Sequence, residues 1–129
     1  KLLENFLNKK IDKIIEKDIK LKFIGSLTKL PTKLQKLIKI SEKKTIKKKS
    51  LQVNIALNYS SKIELINAIK KIKQKKIKLS EMNINNNMYT KGIPDPDILV
   101  RTGGTQRLSN FLLWQLSYTE IYFEKKIMA

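Results

Sequence analysis

Leu51-Gln-Val-Asn-Ile-Ala-Leu57, followed almost at once by Ser61-Lys-Ile-Glu64, is the stretch whose reading decides the fold. Its first part is apolar and β-prone with few interruptions, which is the pattern of a buried strand. Ser61 and Glu64 have capping-box spacing: the hydroxyl can accept from a backbone N–H one turn on, and the carboxyl can reach back. Ile63, Ile66, Ile69 and Ile72 then recur at helical intervals and predict the apolar face of a helix. A strand running straight into a helix is half of a β–α unit.

The same alternation extends upstream. Residues 2–18 read as an amphipathic helix on Leu3, Phe6, Leu7, Ile11, Ile14 and Ile15. Ile19–Ile24 alternates apolar residues with lysine, as a strand does, and Gly25 closes it. Pro31 opens a second helix, because proline is tolerated in a first turn. Its apolar stripe is Leu34, Leu37, Ile38 and Thr45, and Lys47–Lys49 is its solvated end. Downstream, residues 80–93 are polar and predict a loop with room for one short helix. Pro94-Asp95-Pro96-Asp97 is an extended lead-in. Ile98–Arg101 follows as a third strand, Thr102-Gly103-Gly104 as a turn, a helix capped by Ser109 or Asn110 and running to about Ser117, and Glu120–Phe123 as a fourth strand. Strands alternating with helices predict an α/β fold: an open, largely parallel sheet flanked by helices. With no repeats and no linker-like segment, residues 1–129 read as a single domain.

Composition narrows the chemistry. The 129 residues contain no Cys and no His, so disulfides, thiolate metal sites and imidazole catalysis are excluded. No run approaches the roughly 20 apolar residues of a membrane span. The start, Lys-Leu-Leu-Glu, is amphipathic rather than signal-like and lacks Met, which raises the expectation of a fragment or a processed product. The net charge is +17. One reading is a nucleic-acid or anionic-membrane partner; the other is Lys-rich codon usage. The lysines are spread along the chain with no basic arm and no interleaved aromatics, so no nucleic-acid partner is expected.

Of 28 basic residues only two are arginine, Arg101 and Arg107. A planar guanidinium grips phosphate oxygens in pairs, which lysine does not do. Arg101 ends a strand, and Arg107 and Ser109 lie on the way into the helix expected after Gly103-Gly104. Unpaired backbone N–H groups at such a helix start favour anions, and ligands of open α/β sheets bind at the carboxyl ends of strands. The expectation is a diphosphate cradle; the alternative is a pair of arginines in ordinary surface ion pairs. Gly-Lys-Ser/Thr and G-x-G-x-x-G are both absent, so this is neither a Walker loop nor a dinucleotide fingerprint.

Pro94-Asp-Pro-Asp-Ile-Leu-Val-Arg101-Thr-Gly-Gly, Arg107-Leu-Ser-Asn-Phe-Leu-Leu-Trp-Gln115 and Tyr118-Thr-Glu-Ile-Tyr-Phe123 resemble, in order and spacing, the C-terminal signature of cis-prenyltransferases such as the bacterial undecaprenyl diphosphate synthases. Lys22-Phe-Ile-Gly25, Leu30-Pro31, Leu51–Tyr59 and Glu64–Ala68 agree. The resemblance implies a partial cis-prenyltransferase fold and an elongation reaction in which isopentenyl diphosphate condenses with an allylic prenyl diphosphate. It implies that Arg101, Arg107, Leu108 and Ser109 hold isopentenyl diphosphate, with Asn58, Gly103 and Gly104 as secondary candidates. It also implies that Glu120 helps hold Mg²⁺. Phe111–Trp114 invite a lipid-tunnel reading, but packing in a core or dimer interface is the stronger one. The expected partner is a second copy or the missing half of the enzyme, in the cytoplasm with transient contact at a membrane surface.

The departures from the family matter as much. Its Asp-Gly-Asn-x-Arg-Trp motif, which holds the allylic diphosphate and binds metal, is absent, so this chain carries no catalytic residue and is expected to be inactive alone. Ser60-Ser61-Lys62 replaces the usual Gly-Gly-Arg, which is tolerable only if the backbone there avoids positive φ. Thr105 replaces a Glu. A non-catalytic partner subunit and a basic nucleic-acid-binding module remain as other readings.

Overall fold

The structure is a computed structural model and describes residues 1–127. Its elements run α1 (Leu2–Glu16), β1 (Ile19–Ile24), a 3₁₀ turn (Leu27–Lys29), α2 (Thr32–Thr45), β2 (Leu51–Ala56), α3 (Ser61–Lys75), α4 (Glu81–Asn85), β3 (Ile98–Arg101) and β4 (Glu120–Phe123). The α/β class holds, with parallel strands and flanking helices. The strands are hydrogen-bonded as two parallel pairs, β1 with β2 and β3 with β4. The chain clusters into two compact units, Lys1–Asn58 and Tyr59 onward.

In the first unit, β1 and β2 are joined through α2, because parallel strands need a crossover of this length. The core is Leu7 and Ile14 of α1, Leu21 and Phe23 of β1, and Leu34 and Ile38 of α2. Each such side chain contributes roughly 1.5–3 kcal/mol when fully buried. The helix expected over 2–18 stops at Glu16, because Asp18 takes a left-handed φ of 56° and turns the chain into β1. The Asp18 carboxylate then accepts from the Ser50 N–H (2.9 Å), the Ser50 hydroxyl (2.7 Å) and the Lys49 N–H (3.2 Å). These bonds hold the start of β2 beside the start of β1, where Ile19 pairs with Leu51.

The Ser50 hydroxyl first, and then the Lys49 N–H, lower the Asp18 pKa from its ordinary 3.8. A lowered folded-state pKa adds stability above the ordinary value, and that stability is lost as pH falls through the folded one. Asp18→Asn keeps a residue that tolerates left-handed backbone. It is expected to be less stable than the parent at neutral pH and to lose that deficit in strong acid, as followed by circular dichroism across an acid titration.

Thr45 is fully buried, donates to the Ser41 carbonyl (2.9 Å) and accepts from the Leu21 N–H (3.0 Å). Glu42 accepts from the Phe23 N–H at 2.8 Å. Alternate residues of a parallel strand direct their N–H groups to opposite edges, and Ile24 bonds toward β2 through Leu57. The Leu21 and Phe23 donors therefore lie on the edge of β1 away from β2, and α2 side chains close it. β2 was expected to be buried. Its residues are instead half-buried or exposed, with Leu51 at 55% exposure, because the helices of this unit bury β1.

In the second unit Ala68 and Ile72 of α3 cluster with Ile84 of α4 and with Met88 just beyond it, with Leu65 and Trp114 against them. The expected α3 face is corrected. Ile72 is buried, but Ile63, Ile66 and Ile69 are 49%, 48% and 40% exposed. The inward residues are Ser61, Glu64, Ala68 and Ile72, spaced by three or four. The cap is Ser60 rather than Ser61: the Ser60 hydroxyl accepts from the Ile63 N–H (3.3 Å). Ser60 has φ −139°, so the serine pair meets no left-handed requirement. The helix expected from Ser109 or Asn110 to Ser117 is absent; this segment is a succession of bends and turns.

Candidate functional site

Arg101 is the last residue of β3, and the chain leaves it through Gly103 (φ 91°) and Gly104 (φ 78°). Those left-handed angles are the reason for glycine at this turn. The turn's backbone donors are not free: Gly103 N–H donates to the Lys126 carbonyl (3.3 Å) and Gly104 N–H to the Glu124 carbonyl (3.2 Å). The expectation that this turn offers unpaired N–H groups at a helix start is therefore overturned twice. The donors are spent on the segment after β4, and no helix follows.

What remains is a side-chain site. The Arg101 guanidinium donates through one nitrogen to the Ser109 hydroxyl (2.9 Å) and to the Arg107 carbonyl. Leu99, Val100, Arg101, Thr102, Leu108, Ser109 and Phe111 line an open cavity of about 350 Å³. Leu99, Val100, Leu108 and Phe111 make its lining largely apolar, and Arg101, Thr102 and Ser109 contribute one guanidinium and two hydroxyls. Arg107 is exposed and contributes its carbonyl to the site; its side chain is not part of the lining. Among the described residues the one ion pair within 4.0 Å is Lys33 with Glu4, so neither arginine is held by an acidic partner. The alternative of ordinary surface ion pairs finds no such pair at either arginine among the described residues.

Asn58 and Glu120, the other expected residues, are each held by their own neighbours. Asn58 sits in the first unit at φ 45°, where its side chain donates to the Ser26 carbonyl (3.3 Å) and its carbonyl accepts from the Ser26 N–H. Glu120 starts β4 and pairs with Ile98, whereas Arg101 pairs with Phe123 at the other end of the ladder. Three residues of strand separate them by about 10 Å. Glu120 is exposed and accepts from the Tyr122 hydroxyl (3.1 Å). No group of three acidic residues forms among the described residues. Magnesium takes carboxylates together with phosphate and water, and the described residues alone do not assemble such a set.

Two features were missed by sequence reasoning. Asn110 ties the cradle loop to the start of α3: its amide donates to the Ser60 hydroxyl (2.7 Å), and its side-chain carbonyl accepts from the Lys62 N–H (3.0 Å). Glu64, read as a capping residue, is 1% exposed and accepts from the Tyr89 N–H (2.8 Å), the Gln115 amide (3.2 Å) and the Tyr59 hydroxyl. Tyr59 stands edge-on to Phe111 of the cavity wall, with centroids 5.7 Å apart. Burial, and then the bond to and charge of Glu64, push the Tyr59 phenol well above its ordinary range. Trp114 packs against the α3–α4 core and donates to Asn85 (2.7 Å), consistent with packing rather than a lipid tunnel.

Residues 1–128 match the prenyltransferase family model, described as undecaprenyl diphosphate synthase. The isoprenyl transferase of Prochlorococcus marinus subsp. pastoris is 46% identical over 128 residues, covering 94% of this chain and 47% of that protein. A probable undecaprenyl diphosphate synthase from Campylobacter jejuni superposes with a TM-score of 0.89 at 38% identity, over 98% of this chain and 60% of that one. Lavandulyl diphosphate synthase from Lavandula x intermedia, solved with dimethylallyl diphosphate, gives a TM-score of 0.89 at 30% identity, over 95% and 57%. The chain spans about half the length of the curated relatives it matches.

Proposed function

Because this chain belongs to the undecaprenyl diphosphate synthase family of prenyltransferases, we propose that it carries the isopentenyl diphosphate site of a cis-prenyl chain-elongating enzyme. The observation that carries this reading is the Arg101 guanidinium, without an acidic partner among the described residues, held by Ser109 and the Arg107 carbonyl and lining a largely apolar cavity. A diphosphate is met by the guanidinium face and the Ser109 hydroxyl, with the exposed Arg107 side chain closing over it. The apolar floor of Leu99, Leu108 and Phe111 suits a five-carbon tail. A structural neighbour solved with an allylic diphosphate is consistent with this ligand class.

In the proposed reaction the allylic C–O bond breaks and inorganic diphosphate leaves, the isopentenyl double bond forms a C–C bond to the allylic carbon, and a proton lost from the isopentenyl unit restores a double bond. The part played by this chain is to fix one reactant by its diphosphate, which converts a bimolecular encounter into an oriented one. The sequence contains no Asp-Gly-Asn motif, and Glu120 stands apart from the cradle. The residues that hold the allylic diphosphate, and any Mg²⁺ ligands beyond Glu120, therefore lie outside these residues, on another segment of the enzyme or on a different subunit. The setting is cytoplasmic, with product delivery at a membrane surface.

Two measurements test this. Calorimetric titration with isopentenyl diphosphate is expected to show binding that Arg101→Ala/Arg107→Ala abolishes; equal binding by both proteins would refute the assignment. Arg101→Lys keeps the charge and loses the fork, and is expected to weaken binding about tenfold, one charge-assisted contact's worth. Prenyl transfer by the purified chain alone is expected to be undetectable; turnover without an added subunit would overturn that part of the reading.

A further inference from the structure

We propose that Asn110, Ser60 and Ser61 form a positioning bracket that sets the geometry of the Arg101–Ser109 cradle from the first turn of α3. The inference rests on the diphosphate reading of that cradle and adds residues that do not themselves touch the ligand.

The loop carrying Ser109 is held in a conformation that local sequence does not favour. Ser109, Asn110 and Leu112 have φ of 49°, 60° and 46°. Left-handed backbone costs roughly 1–2 kcal/mol at an ordinary residue and persists only where its surroundings over-determine it. Four hydrogen bonds supply that constraint, all between the start of α3 and this loop. Ser61 N–H donates to the Asn110 carbonyl (2.9 Å), and Lys62 N–H to the Asn110 side-chain carbonyl (3.0 Å). The Asn110 amide donates to the Ser60 hydroxyl (2.7 Å), and Leu113 N–H donates to the Ser61 hydroxyl (2.9 Å).

Both serine hydroxyls are thus in use. Ser60 caps α3 and accepts from Asn110, while Ser61 holds the loop one turn beyond. The bracket consumes the α3 N-terminal donors that could otherwise attract an anion, since Ile63 N–H is also taken by Ser60. The ligand is left to the arginines. Ser109 is bonded directly to Asn110 in the chain and is the partner of Arg101 at 2.9 Å. Fixing Asn110 therefore fixes the hydroxyl that aims the guanidinium. Residues at the start of α3 act on the cradle through the loop.

Asn110→Gly is the cleanest test, because glycine accepts the left-handed backbone and retains the carbonyl while losing both side-chain bonds. With only two arginines in the chain, the Arg Nε–H NMR spectrum holds two signals, assigned by Arg107→Lys. The expected result is that Asn110→Gly moves the Arg101 signal, speeds its exchange with water, and weakens inorganic pyrophosphate binding about tenfold, while far-UV circular dichroism is retained. Ser61→Ala is expected to do the same to a smaller degree, and it decides the matter if Asn110→Gly does not fold. Ser60→Thr, which keeps the hydroxyl, is expected to leave the Arg101 signal in place. An unmoved Arg101 signal with a lowered melting temperature would mean that Asn110 only caps α3, and the proposal falls. A moved signal in a chain whose parent binds no pyrophosphate would keep the bracket and remove the diphosphate reading.

Discussion

Gly25→Ala is expected to unfold the first unit at ordinary temperature, a loss of at least about 3 kcal/mol. Gly25 follows β1 at φ 121°, a region that residues with a side chain rarely adopt. The steric term is larger. A Cβ built there would lie 1.9 Å from the Leu57 carbonyl oxygen and 2.9 Å from its carbon. Those are backbone atoms at the end of β2, and the Leu57 N–H is bonded to the Ile24 carbonyl (2.9 Å), so neither partner can swing aside as a long side chain would. Relief requires parting β1 from β2 at their carboxyl ends, where Ser26 N–H also bonds the Asn58 carbonyl (3.1 Å). Urea denaturation followed by circular dichroism measures the loss. A midpoint within experimental scatter of the parent would show that the two strands part here at little cost.

Replacing Glu64 is expected to have the second-largest effect, about 3 kcal/mol for Glu64→Ala and less for Glu64→Gln. The carboxyl group is buried without a cation and accepts three donors: a backbone N–H, an amide and a phenol. Alanine removes the acceptor of the Tyr89 N–H and the Tyr59 hydroxyl and leaves the Gln115 amide with Thr90 alone. Glutamine preserves shape but places an NH₂ where an oxygen accepted, against either the Tyr89 N–H or the Gln115 amide. Thermal melts give the order parent, Gln, Ala; the reverse order of the two variants would mean that shape matters less here than the cavity's polarity. The same contact predicts alkaline behaviour. The Tyr59 pKa is raised from 10.0 in the folded protein. Stability is therefore complete below that value and declines as pH rises above it, because the unfolded chain ionises first.

The strands were legible because their signals are local. Alternation over Ile19–Ile24 with Gly25 behind it, and the Pro-Asp-Pro-Asp lead-in to Ile98, give bounds that match β1 and β3 in full. α3 was legible as a helix but not in its inward face. Hydropathy selects the isoleucines, whereas Ser61 and Glu64 are buried because partners roughly fifty and twenty-five residues further along satisfy their polar atoms. The failed helix after Ser109 has the same origin. Ser-Asn before an apolar run is a good start signal. It is overridden by bonds to residues 60–62, and no window around residue 110 contains that information. Of the site, the arginine pair and Ser109 were readable as chemistry. Their setting was not, since the glycine-turn donors are spent on the chain after β4.

The closure of β1 by Thr45 and Glu42 has a consequence for self-association. An exposed strand edge is a valence through which one chain can pair with another. On the β1–β2 sheet the Leu21 and Phe23 donors of the β1 edge are taken by α2 side chains. Pairing of another strand along this edge therefore starts without two of the donors it would need.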